Sequence, residues 1–142
     1  GDILLQNTIT LNDNDDIETY CAKLVMQAPQ AIAEVMNNLE YYWSMAPAQD
    51  ETLASIFSAP DDEMRTLDWN TSNEFLMKKA RAFGRFGCLA DFDGRRWAVY
   101  SFKCWNEPHD LKPGSLAAVL SREVVIATRD GYAILKEFQQ IG

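Results

Sequence analysis

Side chains able to do acid–base, nucleophilic or metal chemistry are few in this sequence, and their settings favour structural roles. The one histidine, His109, lies in a loop-like Asn-Glu-Pro-His-Asp run and reads as an exposed loop residue. Paired carboxylates can divide acid and base work when their environments differ. They occur at Asp15-Asp16 and Asp61-Asp62-Glu63. Asp15-Asp16 stands at the start of a helical pattern, where acidic side chains suit the positive end of the helix dipole. Asp61-Asp62-Glu63 lies in an irregular acidic stretch, and both groups read as solvated faces and helix starts. Cys21, Cys88 and Cys104 form no C-x-x-C pair, so they read as reduced thiols without a zinc site. Trp97, Tyr100, Phe102 and Trp105 could form a stacking platform, but their alternation assigns about half of them to a core.

These side chains need elements to hold them. Asp2–Ile9 reads as a strand. From Ile17 the apolar positions Tyr20, Cys21, Leu24, Val25, Ala28, Ile32, Val35, Met36 and Leu39 follow helical spacing, and Pro29 is expected to kink this helix or begin a second one. The Tyr41-Tyr42-Trp43 cluster reads as packing at the helix end. Residues 44–52 have a linker composition and 53–63 are irregular and acidic. Arg65–Trp69 reads as a short strand. Thr71 and Glu74 have the spacing of a capping box that opens a helix ending at Gly84. Five strands follow: Phe86–Phe92, Arg96–Trp105, Ser115–Leu120, Glu123–Thr128 and Tyr132–Phe138. Asp93-Gly94 and Asp130-Gly131 read as hairpin turns. In the longest strand, simple alternation puts Ala98, Tyr100, Phe102 and Cys104 on one face and Trp97, Val99 and Ser101 on the other. A small antiparallel sheet closed into a barrel would bury both its core and its edges.

Bulk properties narrow the function classes. At 142 residues and 47% apolar content the chain can bury a core. No apolar run reaches the roughly 20 residues of a membrane helix, no secretory leader is visible, and no membrane association is expected. The net charge of −8 is uneven: residues 1–85 hold 6 Lys/Arg against 14 Asp/Glu, whereas residues 86–142 hold 7 of each. Nucleic-acid binding, which draws on a basic excess, is therefore disfavoured.

The order of several short stretches resembles the C-terminal part of the formyltransferases that use 10-formyltetrahydrofolate, of which methionyl-tRNA formyltransferase is the best-known member. The resemblance rests on Gly1–Gln6, Gln49-Asp50-Glu51-Thr52-Leu53-Ala54, Leu67-Asp68-Trp69, Arg81-Ala82-Phe83, Asp93-Gly94-Arg95-Arg96, Pro113-Gly114 and Val125–Tyr132. It implies an α+β, mainly β fold in three parts. Residues 1–43 would be the last strand and helix of a Rossmann-like catalytic domain, 44–60 a linker, and 61–142 a small open barrel similar to an OB-fold with a preceding helix. It also implies that the family's catalytic Asn, His and Asp precede Gly1, so none is carried onto this chain, and His109 does not match the family's His.

The resemblance makes 10-formyltetrahydrofolate the implied cofactor of the parent enzyme, with none bound by this region. The catalytic domain is the implied partner, in the cytoplasm. Arg81 and Arg85, at the end of the helix before the barrel, are the candidate substrate-binding residues, placed to face an anionic acceptor. Salt bridges to the acidic first half would be the structural alternative for both. Departures from the methionyl-tRNA enzymes stand at Gly84-Arg85-Phe86-Gly87, at Arg129 and at the non-basic end Gln139–Gly142. They favour a small or carrier-bound amine as acceptor over methionyl-tRNA. A stand-alone OB-like module for tRNA, RNA or a protein partner is the alternative. Without its parent sheet, the N-terminal segment is expected to repack or to form a homodimer.

Overall fold

The computed structural model describes residues 1–141, and Gly142, the last residue of the expected barrel, lies outside them. The chain divides into two compact units, Gly1–Ala59 and Pro60–Gly142.

The first unit is built on helix α1 (Ile17–Asn37) and the short helix α2 (Leu39–Met45). Asp16 caps α1 in a reciprocal box: its carboxylate accepts from the Thr19 N–H, and the Thr19 hydroxyl accepts from the Asp16 N–H, both at 2.9 Å. Asp15 is ion-paired with Lys23, and its hydrogen bonds, first to the Asn12 backbone and then to Lys23, lower its pKa to about 2. The carboxylates at this helix start therefore cap and pair, as the sequence implies.

One expected strand is absent from this unit, and its second helix begins later than at Pro29. Residues 2–9 form no strand, because no strand lies beside them to take up their backbone groups. Pro29 begins no second helix: α1 continues through it to Asn37, and Asn38, at φ −135°, separates α1 from α2. No residue of α1 is buried, so water can replace the one backbone bond that proline removes.

In the second unit a short helix α3 (Asp62–Arg65) and helix α4 (Asn73–Phe83) precede five strands. These are β1 (Cys88–Phe92), β2 (Arg95–Asn106), β3 (Leu116–Val119), β4 (Val124–Ala127) and β5 (Gly131–Gln140). The sheet is antiparallel and open, in the order β1-β2-β5-β4-β3. Among the described residues β1 and β3 do not pair, so the sheet does not close on itself as strand count alone suggested. The expected strand at Arg65–Trp69 is helix α3 followed by a single parallel bridge, Thr66 to Leu89. This segment lies along the β1 edge, where the Leu67 N–H donates to the Leu89 carbonyl at 2.7 Å. The cap of α4 is Ser72, one residue later than the capping-box spacing suggested, and its hydroxyl accepts from the Phe75 N–H at 3.2 Å.

One sheet face and one face of α4 enclose the core. Leu67, Trp69, Leu76, Cys88, Ala90, Phe92, Val99, Phe102, Ile126, Ala133 and Leu135 form it, with Met77, Ala80, Phe83, Trp97 and Phe138 packed around. β5 alternates as an unbroken strand should over residues 131–135. β2 does not. The ladder to β5 slips between Val99 and Phe102, and this bulge reverses the inward phase. Val99 and Phe102 therefore both face the core, whereas Tyr100, expected on the Phe102 face, is exposed.

Candidate functional site

The candidate arginines are held by α4 and the turn that ends it. Leu76 is fully buried, and Met77, Ala80 and Phe83 pack on the core. This orientation leaves Glu74 and Lys78 on an exposed flank, joined at 2.7 Å. The Lys78 hydrogen bond is the main reason the Glu74 carboxyl sits below its usual range, and Arg81 adds a weaker pull from the last turn. A cation there also suits the negative end of the helix dipole. Gly84, at φ +43°, stops α4, and a 3-10 turn, Gly84–Phe86, carries Arg85. The Arg85 guanidinium carbon lies 5.4 Å from the centre of the exposed Phe86 ring, a cation–π contact.

His109 is not an exposed loop residue. It is half-buried, with Nε2 at 2.9 Å from the Thr128 carbonyl and 2.8 Å from that of Gly131, while Nδ1 accepts from the Leu111 N–H at 3.0 Å. Carbonyls only accept, so the neutral Nε2–H tautomer satisfies all three contacts. The ring also lies 4.7 Å from that of Tyr132. With both nitrogens engaged, His109 fastens the β2–β3 connection to the β4–β5 turn.

The same turn contains a polar network that sequence reasoning missed. Among the described residues, Asn73 and Thr128 are the buried polar ones. The Thr128 hydroxyl donates to Asn73 Oδ1 at 2.7 Å; Asn73 Nδ2 donates to the Trp105 carbonyl at 2.9 Å and to Asn106 Oδ1 at 2.8 Å. Asp130 accepts from the Asn73 N–H at 3.2 Å and from Arg129 Nε at 2.9 Å. The Arg129 bond is the main cause of the lowered Asp130 pKa. Nothing in Asn70-Thr71-Ser72-Asn73 marks Asn73 as buried, because the run has the composition of an exposed helix start.

Of the proposed aromatic platform, Trp97 and Phe102 belong to the core; the Trp97 ring stacks 4.9 Å from that of Phe92. Tyr100 and Trp105 remain exposed, and Trp105 Nε1 donates to Glu107 at 2.8 Å. Burial pushes the Cys88 thiol up to about 11 and the Cys104 thiol up to about 12, which suppresses the reactive thiolate at both. Among the described residues no group of His, Cys, Asp and Glu is placed to hold a metal ion, and no helix is long and apolar enough to cross a membrane.

Cations gather at a second place that spacing did not reveal. Lys79 Nζ donates to the Thr66 carbonyl at 2.6 Å, and Arg96 Nη2 donates to the Thr66 hydroxyl at 3.2 Å. Arg65 contacts the Phe86 carbonyl at 3.5 Å and the Asp62 carboxylate at 3.1 Å. Arg96 also borders a shallow cleft of about 570 Å³ lined by Asp91–Arg95 and Gly114.

Within the first unit, Ile3, Leu4 and Leu5 line an apolar groove of about 390 Å³ together with Ala31, Ile32, Val35 and Met36 of α1. Val25, Met26, Ile32, Met36 and Trp43 are each more than 60% exposed. An uncovered apolar face of this extent is unusual for a soluble unit.

Comparison with solved structures finds the same fold in HypX from Aquifex aeolicus. The complex of that protein with tetrahydrofolic acid superposes with a TM-score of 0.73 at 19% identity, covering 100% of this chain and 25% of that one. A doubly substituted HypX variant gives a TM-score of 0.75 at the same identity and coverage. This chain thus spans about a quarter of the length of those chains. Residues 61–142 match the family described as formyl transferase, C-terminal domain. Since that match takes in more than half of the residues, the chain belongs to the formyl transferase C-terminal domain family.

Proposed function

We propose that this chain is the C-terminal portion of an enzyme that transfers a formyl group from 10-formyltetrahydrofolate to a small or carrier-bound amine in the cytoplasm. It would serve the acceptor side of the reaction. The family match over residues 61–142 carries this reading. Two features of the chain support the division of labour. The apolar face of α1 and its groove with Ile3–Leu5 suit cover by the rest of a catalytic domain. Neither His109, spent on backbone contacts, nor the Cys88 and Cys104 thiols, held neutral by desolvation, is set up for acid–base work in the second unit.

Folate supplies the activated formyl carbon when bound. In line with the family resemblance, we assign the folate to residues outside this chain and route no step through it here.

The remaining task is to position the acceptor. Arg81 and Arg85 put two cations at the end of α4, where an anionic part of the acceptor would be held while its amine reaches the formyl carbon elsewhere. In the parent enzyme, Arg81→Ala and Arg85→Ala should each raise KM for the amine about tenfold with kcat nearly unchanged, the pattern of lost uniform binding. Steady-state kinetics with the amine varied at saturating 10-formyltetrahydrofolate checks this. An unchanged KM in both variants would remove the role.

A further inference from the structure

The Thr66 cluster is independent of the formyl-transfer reading. Lys79 and Arg96 are drawn to two oxygens of one residue, its carbonyl and its hydroxyl. Among the described residues neither cation has a carboxylate within 4 Å. Arg65, in the adjoining turn of α3, is paired with Asp62, and the Thr66 hydroxyl donates to the Asp62 carbonyl at 2.6 Å. Asp91 stands opposite Arg96 in the β1–β2 ladder without forming an ion pair with it. Lys79 and Arg96 thus converge on Thr66, with the Asp62-paired Arg65 next to it in the chain, in a unit whose Lys/Arg and Asp/Glu balance at 12 each.

Like charges held this close repel unless an anion joins them. The fold keeps them close through bonds to backbone and hydroxyl oxygens, which use only part of their donor capacity. Lys79 spends one of three N–H groups and Arg96 one of five. The spare donors combine an arginine fork with a lysine point charge, a pairing suited to a tetrahedral oxyanion with several acceptor oxygens.

We propose that Arg65, Lys79 and Arg96, gathered around Thr66, form a binding site for a phosphate-type oxyanion. Because Arg96 also borders the cleft of Asp91–Arg95 and Gly114, the rest of a phosphate-bearing ligand has a place to lie.

The test is titration of the 142-residue chain with inorganic pyrophosphate at constant ionic strength, followed by amide chemical shifts and calorimetry. Expected is saturable one-to-one binding that perturbs Thr66, Lys79 and Arg96. It should weaken at least tenfold in Arg96→Gln and in Lys79→Gln and persist in Arg122→Gln, an exposed cation elsewhere. Arg96 is exposed, so its variant keeps the test valid should Lys79→Gln fail to fold. A parallel titration with a nucleoside diphosphate separates two sources of the same chemistry. Tighter binding than pyrophosphate places a larger ligand in the cleft; equal binding assigns the site to the phosphates alone. Non-saturable shifts, or equal weakening in Arg96→Gln and Arg122→Gln, would overturn the proposal.

Discussion

Replacing Asn73 with alanine is expected to destabilise the C-terminal unit by about 2–4 kcal/mol. The asparagine amide gives two hydrogen bonds and takes a third from Thr128, whose side chain is fully buried. Truncation removes those bonds and leaves the Thr128 hydroxyl and the Trp105 carbonyl without this partner. The second loss is the larger, since a stranded buried polar group keeps its whole desolvation penalty. Asn73→Ala combined with Thr128→Val should therefore cost less than the sum of the two single changes, and a double-mutant cycle by chemical denaturation measures the difference. Additive effects would mean that the two side chains do not act together. Acid should weaken the same region. The Asp130 pKa is lower folded than unfolded, so its stabilising contribution is present above the unfolded carboxylate range near pH 4 and is lost as pH falls through the lower folded value.

Gly131→Ala should cost more, about 3 kcal/mol or above, because the obstacle is backbone. A Cβ at Gly131 would lie 2.2 Å from the Trp105 carbonyl oxygen and 2.6 Å from the Glu107 nitrogen, and neither can rotate away. The end of β2 would have to separate from β5 where Asn106 pairs with Gly131. Gly94→Ala is the control. Gly94 also follows an aspartate, but a Cβ there meets nothing within 4 Å, leaving only the strain of φ +67°, about 1 kcal/mol. Thermal unfolding of both variants should give a much larger loss for Gly131→Ala. Equal losses would contradict the steric account.

That contrast explains part of what could be read in the sequence. Both Asp-Gly pairs lie between β-rich runs, and all five strands form close to where the runs place them. Only Asp93-Gly94 is the two-residue turn with positive φ at both positions, 52° and 67°, that joins Phe92 directly to Arg95. At Asp130-Gly131 the aspartate has no positive φ, and glycine is needed for close approach to β2. A dipeptide reports that a turn is present but not which neighbour crowds it. The β2 bulge was hidden for a related reason. Alternation assumes an unbroken ladder, and the slip near Ser101 is a property of the pairing with β5.

The candidate site was legible only as residue types. Arg81 and Arg85 could be placed at the end of a helix because Gly84 marks its stop. The Asn73–Thr128 bond joins residues 55 positions apart, Lys79 meets Thr66 across 13 and Arg96 meets it across 30. No local pattern encodes contacts made by folding the sheet onto α4. A polar, proline-containing run carries no local sign that His109 is half-buried; its partners, the carbonyls of Thr128 and Gly131, are set by the β4–β5 turn.

The most direct test of the acceptor-side role uses the full reading frame that contains this chain. The complete protein and a version ending at residue 60 should be compared for formyl transfer from 10-formyltetrahydrofolate to amines and for folate binding. The predicted result is transfer by the complete protein, with folate binding kept but kcat/KM for the amine reduced at least a hundredfold when residues 61–142 are removed, about 2.7 kcal/mol of lost transition-state stabilisation. An unchanged kcat/KM in the truncated protein, or a complete protein that transfers no formyl group, would contradict it.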